Sequence, residues 1–279
     1  MLSILLSIAA CFGWGVADFI GGLKSRYLPT LSILFISTTI GVLLLSVIII
    51  LSGNPLPRDP SLFWAIPSGF IGLISMFLLY RGLAIGTMTI LAPISATGVI
   101  LPVIWGMLCG DDMSGLQLLG IGSAILGSLL AAMEKEKNLN KKHLTKGIGY
   151  AFSAAIFIGF YFIFMDKAAV HHPVWASMIM RLCTLFFLLP FLILSRLPMG
   201  VGRSHLPIIL IMGIIDTLAA FSFTIAVSKG MLSEVAVISC LYPAVTALLS
   251  SFIVKERIQK KQSLGIIFAI AGVVLISAF

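Results

Sequence analysis

Three ionisable side chains, Asp18, Arg181 and Asp216, stand inside long runs of hydrophobic sequence. A charge near the middle of a bilayer costs at least ~2.5–3.5 kcal/mol on insertion scales, so each of these needs a partner or a task. Asp216 lies ten residues into its run. Arg181 lies about two turns into the run before it, roughly 10 Å deep at 1.5 Å per residue. Consecutive spans run antiparallel, so the guanidinium and the carboxylate can come within reach of each other. They then form either a structural ion pair or a site for a proton or a charged solute. Asp18 stands one turn beyond Trp14, on a face shared with Cys11. A carboxylate beside an indole suits a cationic or amino-bearing ligand, charge from one and a π-face from the other. A proton would compete for the same oxygens. Asp18 is also six residues before Lys24, and pairing with it at the membrane surface is the simpler alternative.

Aromatic residues complete the candidate set. Tyr80, Phe160, Tyr161 and Tyr242 fall inside apolar runs and could line a central cavity, although an aromatic in a span more often packs in the core or faces lipid. The expected substrate or proton site is therefore Asp216, Arg181, Asp18, Trp14, Tyr80, Phe160 and Tyr242. Glu234 opens a run, where a carboxylate meets the positive end of a helix dipole, and a local role suffices for it.

Signs of catalysis are missing. His143, His171, His172 and His205 all fall in loops without partner spacing, and there is neither a zinc motif nor a nucleophile elbow. Cys11, Cys109, Cys183 and Cys240 lie in apolar runs and read as small buried hydrophobes. No enzyme activity, metal or cofactor is expected.

The elements that position these residues follow from composition. Hydrophobic residues make up 59% of the 279 and charged residues 10%, with a mean hydropathy of +1.15; soluble domains carry about 25% charge. The net charge of +8 comes from bases in short loops, which is a topology signal and excludes a nucleic-acid surface. A hydrocarbon core of ~30 Å needs about 20 apolar residues per helix. Ten such spans fit: 2–22, 31–52, 62–82, 88–109, 114–133, 147–166, 174–195, 206–228, 233–254 and 262–278. The first has no preceding Lys or Arg and reads as a permanent span, not a cleaved leader. Asn54-Pro55-Leu56-Pro57, His172-Pro173 and Pro198-Met199-Gly200 mark joints. Pro93, Pro102 and Pro243 interrupt the fourth and ninth spans, and such breaks free backbone groups that can shape gates or polar cavities.

The chain also repeats itself. Gly69, Phe77, Gly86 and Ser95 recur as Gly213, Phe221, Gly230 and Ser239 at an offset of 144, and Gly13 recurs as Gly159 at 146. Asp111 is answered by Glu256, and Gly120 and Gly127 by Gly265 and Gly272, all at 145. This is an internal duplication. The predicted organisation is a first five-helix unit, 1–133, a basic connecting loop, 134–146, and a second unit, 147–279. Five is odd, so the second copy starts on the opposite side of the membrane and the two units lie inverted. The fold class is thus all-α and integral to the membrane, ten helices in two inverted five-helix repeats. Gly15/Gly22, Gly120/Gly127 and Gly265/Gly272, seven apart, are assigned to close helix packing.

The stretch "LYPAV…KER…LG…AG", its echo "LAPIS…GDD…LG…LG" and the opening "FGWGVADFIGG" resemble the ten-helix EamA type of the drug/metabolite transporter superfamily over the whole chain. Gly110-Asp111-Asp112 departs from that pattern, which has Gly-Glu-Arg there. The resemblance implies a secondary active transporter exporting a small organic metabolite or drug, often coupled to protons. Uptake of a small solute by the same machine is the alternative, and a non-transporting membrane protein ranks below both. The expected partners are a small-molecule substrate, protons and the lipid bilayer, the chain acting as monomer or homodimer. For orientation, Arg58, Lys167 and Lys229 lie on the side of the termini, against fourteen Lys and Arg opposite. The positive-inside rule then puts the loop 134–146 in the cytoplasm and both termini outside a cell membrane; the family resemblance implies cytoplasmic termini instead.

Overall fold

A computed structural model describes residues 1–132, 141–195 and 201–256, and beyond them the helical residues 263–265, 267–268, 271–272 and 274–275. The described residues are helical throughout, with no strand. The helices are α1 (Leu2–Lys24), α2 (Thr30–Ser52), α3 (Ala65–Ile85), α4 (Met88–Ala96), α5 (Ile100–Cys109), α6 (Gly115–Ala132), α7 (Lys141–Ala169), α8 (Pro173–Ser195), α9 (Leu206–Val227), α10 (Leu232–Ser239) and α11 (Tyr242–Leu249). Eight runs among them are long and apolar enough to cross a membrane, with a shorter apolar helix at Gly115–Gly127.

Local chemistry sets the ends. α2 stops where Gly53 takes φ 63°, a left-handed turn that an L side chain resists. Asp59 caps the 3₁₀ turn Pro60–Trp64 by accepting from the Ser61 N–H at 2.8 Å, and Pro60 opens that turn with φ already fixed.

The expected interruptions are real. Pro93 sits inside α4, and the span continues through a 3₁₀ turn, Thr97–Val99, into α5. Proline removes one helical N–H and crowds the preceding turn. Nearby hydroxyls bond back to the backbone, Ser95 Oγ to the Ala92 carbonyl at 2.7 Å and Thr97 Oγ1 to that of Ile94 at 2.8 Å. The other broken span runs α10, a gap at Cys240–Leu241, α11 with Pro243 in its first turn, and a π-helical turn Ser250–Val254.

Packing joins early helices to late ones. α1 lies along α9 and α3 along α7; α2 crosses α9 and α3 crosses α8; α1 packs on α10 and α11 as α7 packs on α4 and α5. Two glycines at the 144-residue offset serve equivalent crossings. A Cβ on Gly69 would meet the Met180 carbonyl oxygen in α8 at 2.5 Å, and one on Gly213 would meet the Ser37 Cα in α2 at 2.9 Å. Both helices approach backbone to backbone, and no larger residue fits either crossing. Gly272 meets the Gly120 carbonyl oxygen in the same manner, at 2.5 Å from an ideal Cβ, as expected for a packing role.

Two expectations change, at the connecting loop and at one cysteine. α7 begins at Lys141, so the basic stretch up to Lys146 is helical and not loop; its Lys and His residues are ordinary helix formers ahead of an apolar run. Residues 134–140 of the connecting loop, the joint at Pro198-Met199-Gly200 and most of the tenth span, 262–278, lie outside the described residues. Of the cysteines, Cys11 and Cys240 are buried and Cys183 half-buried, but Cys109 is exposed at the end of α5.

Candidate functional site

Arg181 and Asp216 meet. Arg181 Nη2 donates to Asp216 Oδ2 at 2.7 Å, joining α8 to α9, and both residues are 8% exposed. Asp216 therefore faces the bundle interior and not lipid. The antiparallel run of consecutive spans places the two groups at a common depth, as their positions in sequence require.

Asp18 is buried more deeply still, at 2% exposed, and faces the same cavity. It does not pair with Lys24, whose Nζ lies 3.5 Å from His205 Nδ1 at the helix end. The Tyr80 hydroxyl of α3 stands beside the Asp18 carboxylate, and Asp18 Oδ1 has no hydrogen-bond partner among the described residues. Nor has Arg181 Nε.

These groups line one cavity of about 60 Å³, together with Trp14, Ser37, Thr38, Tyr161, Phe162, Thr184 and Tyr242. That is room for a few waters. Aromatic rings close one wall. Trp14 lies 5.7 Å from Phe162, 5.4 Å from Phe223, 6.2 Å from Tyr242 and 6.5 Å from Tyr161, centroid to centroid. The two broken spans touch at this level, where the Tyr242 hydroxyl and Ser95 Oγ are 3.3 Å apart. Helix interruption thus sets the Tyr242 phenol against the cavity, with the Ser95 hydroxyl of the other broken span behind it.

The structure gathers six of the seven expected site residues: Asp18, Trp14, Tyr80, Arg181, Asp216 and Tyr242. Phe160 is the correction. It is 41% exposed, stacks on Phe164 at 6.4 Å and faces outward. Adjacent helical residues point about 100° apart, so only one of Phe160 and Tyr161 can face inward, and that one is Tyr161. Phe162, Phe223 and Thr184 escaped the sequence reading because nothing distinguishes them from other apolar-run residues before the helices are packed. Arg81 is exposed, and Glu234 occupies the first turn of α10 as its position suggested.

Two further contacts link the halves away from the cavity. Asp111 Oδ2 accepts from the Ser233 N–H at 3.0 Å, and also from the Ser233 hydroxyl, at the start of α10. Glu256 Oε2 accepts from the Thr89 N–H at 3.1 Å at the start of α4, while Glu256 Oε1 pairs with Arg26 at 3.2 Å.

Comparison with known proteins fits this arrangement. A family described as the EamA-like transporter family matches residues 1–133 and 145–278. The chain belongs to the EamA-like transporter family. Its long apolar helices accordingly make it a multi-pass membrane protein of a transporter family. No curated protein matches the chain. A solved crystal structure resembles this EamA-like chain with a TM-score of 0.79 at 16% identity, covering 99% of this chain and 96% of the other. At that identity the likeness shows the fold alone.

Proposed function

We propose that this EamA-like protein is a secondary active transporter that moves a small organic metabolite or drug by alternating access, as an exporter driven by inward proton movement. The observation that carries the reading is the central cavity, in which two carboxylates, one guanidinium and four hydroxyl-bearing or indole rings are held away from water and lipid. Keeping such groups inside a membrane protein is costly, and they mark transport pathways more often than scaffolding.

The helix pairing supports an inverted repeat. Shifting the first five spans onto the second five turns α1 against α9 into α7 against α3, and α3 against α8 into α9 against α2. The two separately matched family segments, 1–133 and 145–278, fit the same division into units joined by a basic loop. Two similar halves packed across a central cavity give two arrangements of nearly equal free energy, each opening the cavity to one side. A cavity of about 60 Å³ is smaller than the ~300 Å³ and upward typical of ligand sites, so substrate entry requires its walls to separate.

Flux tests the reading. The full chain in proteoliposomes under an imposed pH gradient should move at least one solute from a panel of amines, amino acids, sugars and nucleosides faster than empty liposomes do. Asp216→Asn, which keeps the side chain's size and an oxygen for Arg181 to donate to, should impair that flux or its pH dependence when assayed below its lowered melting temperature. Flux equal to that of empty liposomes for the whole panel would defeat the transporter reading. Normal flux in Asp216→Asn would remove Asp216 from the site.

A further inference from the structure

The cavity's charges do not balance. Arg181 is neutralised by Asp216 at 2.7 Å, leaving the carboxylate of Asp18 without a cation. Among the described residues, no other Lys, Arg or His lines the cavity. Asp18 Oδ1, in a residue 98% buried, has no partner among the described residues. An ionised carboxylate in such a place needs a positive charge beside it or a proton upon it. The rings of Trp14, Tyr161, Phe162 and Tyr242 line the same space, and aromatic faces attract cations.

We propose that the substrate is a small organic cation, an amine or quaternary ammonium, whose charge pairs with Asp18 against the Trp14 wall. This rests on the transporter reading and names its substrate class. Cation and proton exclude each other at Asp18: a protonated carboxyl cannot pair with an ammonium, so binding strengthens as pH rises. The charged and titratable groups facing Asp18 are Tyr80 of α3, Asp216 of α9 and Tyr242 of α11, with Arg181 of α8 and Tyr161 of α7 across the cavity. α2 contributes only the neutral Ser37 and Thr38 among its polar residues there, and Cys240, just after α10, lies near Tyr242.

One aromatic body carrying three charges provides the test. Binding of phenethylammonium, neutral 2-phenylethanol and phenylacetate to the full chain in nanodiscs is measured by calorimetry between pH 5 and 9. The expectation is saturable binding of the ammonium alone, tightening with pH. Asp18→Asn should weaken it on the order of thirtyfold or more and abolish the pH dependence. If that variant fails to fold, the charge series and pH profile of the unaltered protein decide alone. Preference for the alcohol or the anion, or ammonium binding that ignores pH, would overturn the cation assignment. The solute-panel flux would then still stand or fall separately, so loss of the substrate class is distinguishable from loss of transport.

The carboxylates outside the cavity carry a second inference independently. Asp111 and Glu256 are equivalent at an offset of 145, and their partners Ser233 and Thr89 at 144. Gly110 and Lys255, each immediately before its acid, both take positive φ, 103° and 61°, which folds the acid back towards the opposite half. The contacts lie at opposite ends of α1. Gly230, just before α10, abuts Ser3, whereas Glu256 holds Arg26 just beyond Lys24. A helix of 23 residues separates them by about 35 Å.

We infer that these are latches, each closing the cavity towards one membrane face by tying the broken span of one half to the acid of the other. Hydrogen exchange on the full chain in nanodiscs tests this. Asp111→Ala should speed exchange at the start of α10 and in cavity-lining peptides around Trp14 and Arg181, leaving the Thr89 end protected; Glu256→Ala should do the converse. Ser233→Ala and Arg26→Ala are milder forms for use if the first pair misfold. Faster exchange confined to the first helical turn, with cavity peptides unchanged, would reduce both acids to ordinary caps and overturn the inference.

Discussion

At the scale of single residues, the Arg181–Asp216 pair separates stability from function. Removing one partner strands a buried charge at a cost of about 3–5 kcal/mol, whereas replacing both by apolar groups of similar size is often neutral. Arg181→Met or Asp216→Leu alone should therefore lower thermal stability strongly. The double variant should melt near the parent protein yet show no solute flux; a double variant as unstable as either single one would count against this account. Outside the spans, Asp59 offers a pH prediction. The Ser61 N–H that it accepts holds its carboxyl below the ordinary aspartate value of 3.8, helped by His171 and His172, with His172 Nε2 at 3.7 Å. A depressed folded-state value stabilises above the unfolded one and is lost as pH falls through the folded one. Melts of the native chain and of Asp59→Asn should differ at neutral pH and converge only as the pH falls below 3.8 and through the depressed folded-state value. Asp18, Arg181 and Asp216 were legible from sequence because a charge in an apolar run is conspicuous. Phe160 and Tyr161 were both visible as aromatics of one apolar run, but neighbouring helical side chains point about 100° apart and only the packed helix shows which of them faces inward.

At the scale of elements, the broken spans hold most of what the sequence could not say. Pro93 and Pro243 announced the interruptions, but not that Ser95 and Tyr242 would face each other across them. Asp111 and Glu256 were visible as a repeated acid, yet their partners lie 122 and 167 residues away, and only the packed helices bring them together. Lys255 is the one side-chain-bearing residue at positive φ among the described residues, at 61°. The left-handed region costs roughly 1–2 kcal/mol for an L residue, part of which glycine's greater unfolded-state freedom offsets. Lys255→Gly, which reproduces Gly110 of the other copy, should raise thermal stability by up to about 1 kcal/mol. A clear fall in melting temperature would show that the Lys255 side chain makes a contact of greater worth.

At the scale of the whole molecule, the apolar runs specified a helical membrane bundle. Orientation is a prediction from charge alone: fourteen bases against three favour the side of the loop 134–146 as cytoplasmic. Alkaline phosphatase fused to the N-terminus should be active and a fluorescent protein there dark, since the first matures outside and the second inside. The opposite pattern would reverse the orientation, with the cavity and both latches unchanged but their faces exchanged. The helix partnership between early and late spans was not legible, because hydropathy reports burial without naming the neighbour.

The reciprocal caps also bear on how the chain can be divided. Each half holds the acid that satisfies the first exposed N–H groups of a helix in the other, so neither completes its own hydrogen bonding. Genes encoding residues 1–137 and 138–279, expressed one at a time, should yield products that are degraded, while the two together should reassemble into a protein that co-purifies and melts as one. Neither half is then a self-sufficient folding unit: each supplies, within one molecule, bonds that the other lacks.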